Sequence, residues 1–477
     1  MHLRIAMGIV VLSCFTLFGF NRPSFSQDSA KRLDGYWEGV LKVGGIELQM
    51  GLHVKQDGKS ISATLDIPLQ DAKDLKLEGV VLKDNQFTFR FRPGKGTFEG
   101  KLNEKATEIP GRWKQNGRDI EIIFKKKDKP TQFVRPQEPK EPYPYSEVEI
   151  TYENKKAHVN LAGTLTIPQS AGPHPVVLLI PGSGPQDRNE SIFGHKPFWI
   201  IADHLTRHGI AVLRVDKRGN GSSTGNYDTA TSVDFADDVL AGIEFLKRYE
   251  GIDPRKIGLL GHSEGGLVGP MVAARSTDIA FFIMLAGTAL TGEEILYLQG
   301  QAVKKVAGAN EKTLATHRIA QGLIFKIVKE EKNNTIAEKK IAEALDHERT
   351  QLSEDEKKEW DKQRAAMDSQ IKQILNPWFR HFLTYDPRPA LMKLQCPVLS
   401  LIGEKVLQVS PRENNTEITK ALKAGGNRDF TVKVLPGLNH LFQRCETGAL
   451  SEYGRIEESV APAVLSEVTE WILKHTR

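Results

Sequence analysis

The chain has 477 residues, 39% of them apolar and 26% charged, with a formal net charge of +5. That length exceeds what one simple core holds and predicts two or three domains. Basic residues are interleaved with acidic ones, so the clustered positive face of a nucleic-acid binder is not indicated.

The chain opens with His2 and Arg4, an apolar stretch from Ile5 to Phe20, and a polar segment to Gln27 that contains Ser24 and Ser26. This is the layout of a signal peptide over residues 1–27, which implies an exported protein, periplasmic or extracellular. The apolar stretch is about 16 residues, short of the roughly 20 that span a bilayer, so no stable membrane span is expected after cleavage. An uncleaved anchor is the competing reading. Beyond the leader only Cys396 and Cys445 remain, too few for a disulfide framework, and both are expected to be free thiols.

Residues 28–126 alternate apolar and polar positions in short runs such as Phe87-Thr88-Phe89-Arg90-Phe91, separated by turn pairs such as Asp84-Asn85 and Asn116-Gly117. Period-two patterning of this kind predicts a small all-β barrel or sandwich domain. Residues 127–145 shift to Lys, Glu and Pro and read as an extended linker. The second domain is expected over 146–477.

There, buried-strand runs (Val176 to Ile180, Ile210 to Val215, Ile257 to Leu260, Ala280 to Leu285) alternate with amphipathic stretches (Trp199 to His208, Ser232 to Arg248). Alternation of strand and helix predicts an α/β fold with a mostly parallel sheet and helices on both faces. Residues 291–380 are highly charged and helix-favouring, and predict a helical cap over the carboxyl ends of the strands. The sheet resumes at Pro397 to Ile402 and Phe430 to Val434, with helices at Asn414 to Ala424 and Val460 to His475.

Residues Ile257 to Gly266 end a buried strand in G-x-S-x-G, centred on Ser263. A serine hydroxyl attacks a carbonyl only where a tight strand-to-helix turn exposes it, and Gly261 and Gly265 permit that turn. Ser263 is the candidate nucleophile. His440, after the last strand, is the candidate general base that takes the serine proton and returns it to the leaving group. The amide of Glu264, which follows the nucleophile, is a candidate oxyanion donor. His262 is expected to pack or hydrogen-bond locally. The glycine-rich run Asp216 to Ser223 lacks the lysine of a phosphate loop and the spacing of a dinucleotide fingerprint, and reads as a structural turn.

Four segments together carry a family resemblance: Leu178 to Pro185, Asp216 to Ser223, Gly261 to Gly266 and Leu435 to His440. Residues 146–477 resemble the bacterial α/β-hydrolases, and the whole layout resembles exported two-domain bacterial carboxylesterases. The resemblance implies a second oxyanion donor at Ser183. It also places the acid that orients the histidine at position 406, in Gly403-Glu404-Lys405-Val406, where this chain has valine. Valine cannot accept the imidazole N–H, which implies weakened activity. Glu404 on the same turn, Asp386 at the end of the cap, and the absence of any acid are the three alternatives, with Glu404 leading.

The expected function is hydrolysis of a small-molecule carboxylic ester through an acyl-Ser263 intermediate, with no metal and no cofactor. A serine aminopeptidase, with Glu264 or a cap glutamate holding a substrate amine, and a non-catalytic binding protein on a hydrolase scaffold stay open. Oligomeric state is not read from the sequence.

Overall fold

In the computed structural model, residues 33–477 are described, apart from 44, 45, 58, 59, 71, 116 and 369; the expected leader, residues 1–27, lies outside the described residues. Two compact units emerge: residues 33–134 with Gln351–Gln373, and Arg135–Thr350 with Ile374–Arg477.

In the first unit, strands β1 (Gly35–Val43), β2 (Ile46–Asp57), β3 (Ser60–Ile67), β4 (Ala72–Lys76), β5 (Glu78–Lys83), β6 (Gln86–Phe91), β7 (Gly96–Lys101), β8 (Glu108–Gln115) and β9 (Arg118–Lys127) form one antiparallel sheet in the order β4-β3-β2-β1-β9-β8-β7-β6-β5. The sheet curls toward a barrel: Leu77, between the two edge strands, donates its N–H to the Ala63 carbonyl of β3. The strict in-out alternation along β7 shows how the period-two sequence works. Phe87, Phe89, Phe98, Trp113 and Phe124 all point inward and are buried. They pack ring against ring, with Phe89 and Phe98 stacked at 5.1 Å and Phe98 edge-on to Phe124 at 5.2 Å. Asp84 and Asn85 both take positive φ, as the tight hairpin between β5 and β6 requires.

The second unit is an α/β fold. Strands β10 (Tyr145–Asn154), β11 (Val159–Pro168), β12 (His174–Ile180), β13 (Ala211–Val215), β14 (Ile252–His262), β15 (Phe281–Leu285), β16 (Val398–Gly403) and β17 (Phe430–Leu435) lie in the order β10-β11-β13-β12-β14-β15-β16-β17. The first two pair antiparallel at one edge, and from β13 onward every pairing is parallel. Apolar runs are needed because the central strands are covered twice. Val176, Leu178 and Ile180 of β12 join the core beneath α2 (Ser232–Leu246) and α3 (Gly265–Ala273), while Val177 and Leu179 join the core beneath α1 (Pro197–Arg207) and the C-terminal helix Pro462–Thr476.

Between β15 and β16 run α4 (Gly292–Val306), α5 (Glu311–Glu330), α6 (Asn334–Thr350), α7 (Glu354–Asp368), α8 (Ile371–Ile374), α9 (Pro377–Thr384) and α10 (Arg388–Leu391). The α7 segment belongs to the β-rich unit rather than to the hydrolase unit, so the helical stretch expected as one cap is divided between them. After β16 come α11 (Pro411–Ala424), α12 (Leu450–Tyr453) and α13 (Pro462–Thr476).

The segment between β9 and β10 has no helix or strand, but part of it is firmly held rather than free. The Arg135 guanidinium donates to the carbonyls of Phe193, Gly194, Gly454 and Ile456. Gln137 bonds Val460 O through Nε2 and accepts the Ser459 and Val460 N–H groups through Oε1. Removing a donor from buried acceptors costs about 1–3 kcal/mol. Arg135→Ala is therefore expected to destabilise the hydrolase unit by about that amount, read as a lower midpoint in chemical denaturation.

Candidate active site

Ser263 sits between β14 and α3 with φ at +53°, in the left-handed region that a residue with a side chain enters only when its neighbours fix it there. Those neighbours are backbone. Ser263 N–H donates to Leu285 O at 2.9 Å, and its carbonyl accepts from Gly266 N–H at 2.9 Å. A methyl group on Gly261 would lie 2.1 Å from Gly265 O, and one on Gly265 would lie 2.0 Å from Ile180 O. Both glycines of the motif are thus required by close backbone approach.

The loop after β12 passes directly beside this turn. A Cβ on Gly182 would meet Glu190 Oε1 at 3.0 Å and Ser263 Cβ at 3.3 Å. Glu190 Oε1 accepts both the Gly182 N–H and the His262 Nδ1–H, the latter at 2.9 Å. Lys217, from the turn after β13, donates to Gly182 O at 2.6 Å and to Glu264 Oε2 at 2.9 Å. The other oxygen of Glu264 accepts from Ser232 Oγ at 2.7 Å and from the indole N–H of Trp378, in α9, at 2.6 Å. Among the described residues, the backbone N–H groups of Ser183 and Glu264 have no hydrogen-bond partner. Buried or crowded amides are normally paired, and an unpaired couple beside a strained serine is what a developing oxyanion needs.

His440 lies in the turn after β17, which Asn439 shapes by accepting the N–H groups of Leu441 and Gln443 at 3.0 Å each. The His440 N–H donates to the Tyr453 hydroxyl at 3.3 Å, and its carbonyl accepts from His262 Nε2 at 2.9 Å. The two imidazole rings are 4.9 Å apart. Both nitrogens of His262 therefore face acceptors, a carboxylate and a carbonyl, which favours the doubly protonated ring. Burial works against that charge, yet the Glu190 carboxylate and the bond to His440 outweigh it, and the His262 pKa is raised. For His440 the direction is opposite: burial first, then the neighbouring His262 charge, hold its pKa well below the ordinary value.

Nδ1 of His440 is buried with no partner. Val406 is buried among apolar side chains of the α1/α13 face and offers none. Glu404, the leading acid candidate, does not take the role: its exposed carboxylate accepts the Gly437 N–H at 3.0 Å and so braces the turn that precedes the histidine. Asp386 is bonded to Arg388 at 2.7 Å. His262 hydrogen-bonds locally, and Asp216 organises a structural turn by accepting from Arg188 and from Ser222 N–H, both as the sequence implies. Cys396 and Cys445 are free and half-buried. Among the described residues, no group of three or more His, Cys, Asp or Glu could hold a metal ion.

Residues 177–448 match the alpha/beta hydrolase family over more than half of the chain. The chain belongs to that family. It is 26% identical over 325 residues to the esterase EstD of Thermotoga maritima, covering 68% of each protein. It is 24% identical over 326 residues to an uncharacterized 31.7 kDa protein of the traX-finO intergenic region of Escherichia coli, covering 67% of this chain and 98% of that one. Among solved structures, the Pyrococcus furiosus esterase Pf2001 aligns with a TM-score of 0.40 at 16% identity, over 70% of this chain and 90% of that one.

Two groups in this α/β hydrolase site escape a sequence reading. Glu190 follows Asp187-Arg188-Asn189 and looks like part of a solvated loop, yet it is buried against the oxyanion loop. Lys217 was hidden inside a turn read as purely structural. The histidine pair gives a direct prediction. Imidazole NMR across pH 5–8, assigned with His262→Asn, should show His440 neutral through its ordinary range near 6.5 and protonating only below it, with His262 charged above it.

Proposed function

We propose that this protein is an exported serine hydrolase that cleaves small carboxylic esters through an acyl-Ser263 intermediate. The observation that carries this reading is the left-handed turn at Ser263 beside two backbone N–H groups without partners. In the reaction, Ser263 Oγ attacks the ester carbonyl as His440 takes the hydroxyl proton, and the carbonyl oxygen becomes an oxyanion between the amides of Ser183 and Glu264. His440 then protonates the departing alcohol, and a water activated by the same ring releases the acid.

The rate is set by what His440 lacks. With no acceptor at Nδ1, the imidazolium formed during attack is unsupported, and the charge on His262 opposes it. Slow turnover is the expected consequence. The same observation favours a second reading, a scaffold retained for binding, over full catalytic competence. An aminopeptidase is less well supported, because both Glu264 carboxylate oxygens are already engaged by Lys217, Ser232 and Trp378.

Hydrolysis of a short p-nitrophenyl ester, lost in Ser263→Ala, is the result expected of the enzyme; absence of turnover with every short ester favours the binder. Val406→Asp should raise kcat by about 10²-fold or more, since a missing orienting acid costs on the order of 10⁴ in serine hydrolases. An unchanged or lower rate in that variant would show that position 406 does not serve His440.

A further inference from the structure

Lys217 is a buried cation that no chemical step above uses, and its two hydrogen bonds fall on the two sides of the oxyanion hole. The ammonium donates to Gly182 O at 2.6 Å and to Glu264 Oε2 at 2.9 Å. Only 6% of its side chain and 2% of that of Glu264 reach solvent. The Phe235 ring, 4.4 Å from the ammonium, closes another side of its pocket. Water therefore does not compete for these bonds.

The Gly182 carbonyl and the Ser183 N–H belong to one peptide group. That group is planar and trans, so its oxygen and its hydrogen point in opposite directions. Fixing the oxygen aims the hydrogen. On the other side of Gly182, its own N–H is held by Glu190, so the peptide before the donor is fixed as well. Glu264, the other partner of Lys217, supplies the second unpaired N–H from its backbone.

We propose that Lys217 is a positioning residue for catalysis: it fixes the rotation of the Gly182–Ser183 peptide and ties it, through the Glu264 carboxylate, to the residue that carries the second oxyanion donor. A charged donor on the carbonyl also polarises that peptide and strengthens its N–H toward an anion. The inference rests on the acyl-Ser263 reading and adds a named control element to it. The bland alternative is that Lys217 only neutralises the buried Glu264 charge.

Lys217→Met and the double variant Lys217→Met/Glu264→Gln separate the two. The double variant removes the buried charge pair together, so it stays folded even where the single change leaves Glu264 uncompensated. Three measurements are made on the full chain: kcat and KM for p-nitrophenyl acetate, the rate of Ser263 labelling by a fluorophosphonate followed by intact mass, and circular dichroism. Both variants should lose about 10- to 100-fold in kcat with KM within about twofold, and labelling should slow in parallel, less than the loss from deleting a donor outright. Wild-type rates in Lys217→Met, or recovery of wild-type rates in the double variant, would overturn the proposal. Should the single variant misfold, the double variant alone decides. Failure of the underlying reading has a different signature, since the wild-type chain itself would then escape labelling at Ser263.

Discussion

Backbone approach without intervening side chains is the constraint on which the site depends. Gly261, Gly265 and Gly182 lie where a single methyl group would collide with, or crowd, the neighbouring chain. This closeness holds Ser263 in a left-handed conformation at the top of a sheet whose central strands are buried on both faces. A rigid parallel sheet supplies the fixed platform, and the glycines let the loop after β12 come close to Ser263. Strain at the serine persists because the surrounding packing leaves it no alternative.

Around that platform, charge is distributed in an unusual way. Glu190 with His262, and Lys217 with Glu264, are two buried pairs that converge on Gly182 from opposite sides. Ion pairs of this depth contribute little net stability after desolvation, but their charge-assisted hydrogen bonds fix the geometry of the backbone they touch. The imidazole of His440 has no such partner. Its ring is carried on a backbone held by His262 and Tyr453, while its Nδ1 stays unpaired. Two unpaired backbone amides thus sit in a rigid frame, whereas the imidazole of His440 has no fixing partner at Nδ1.

Much of this was legible in the sequence. Period-two runs such as Phe87 to Phe91 identify the β unit because alternate residues face a common core, and continuous apolar runs such as Val176 to Ile180 identify strands covered twice. The positions of Ser263 and His440 in the fold are readable because each follows a strand end. Glu190, Lys217 and Arg135 are not readable, since a charged residue in a loop looks the same whether it meets water or a backbone carbonyl. The place of Glu404, the leading of three alternatives for the acid, is not readable for a related reason. Side-chain length suggests reach, but the turn itself offers the Gly437 N–H, a backbone donor that leaves no mark in the sequence.

The indole of Trp378, in the inserted helices, donates to Glu264, the residue that follows Ser263. A lineage that shortened or discarded this insertion would strand one oxygen of the 264 carboxylate in a dry pocket with a single hydroxyl for company. Loss of the indole and retention of a charge at position 264 are therefore linked by one desolvation cost. Relatives with a trimmed insertion should carry an uncharged residue after the serine, or a different donor in place of the tryptophan.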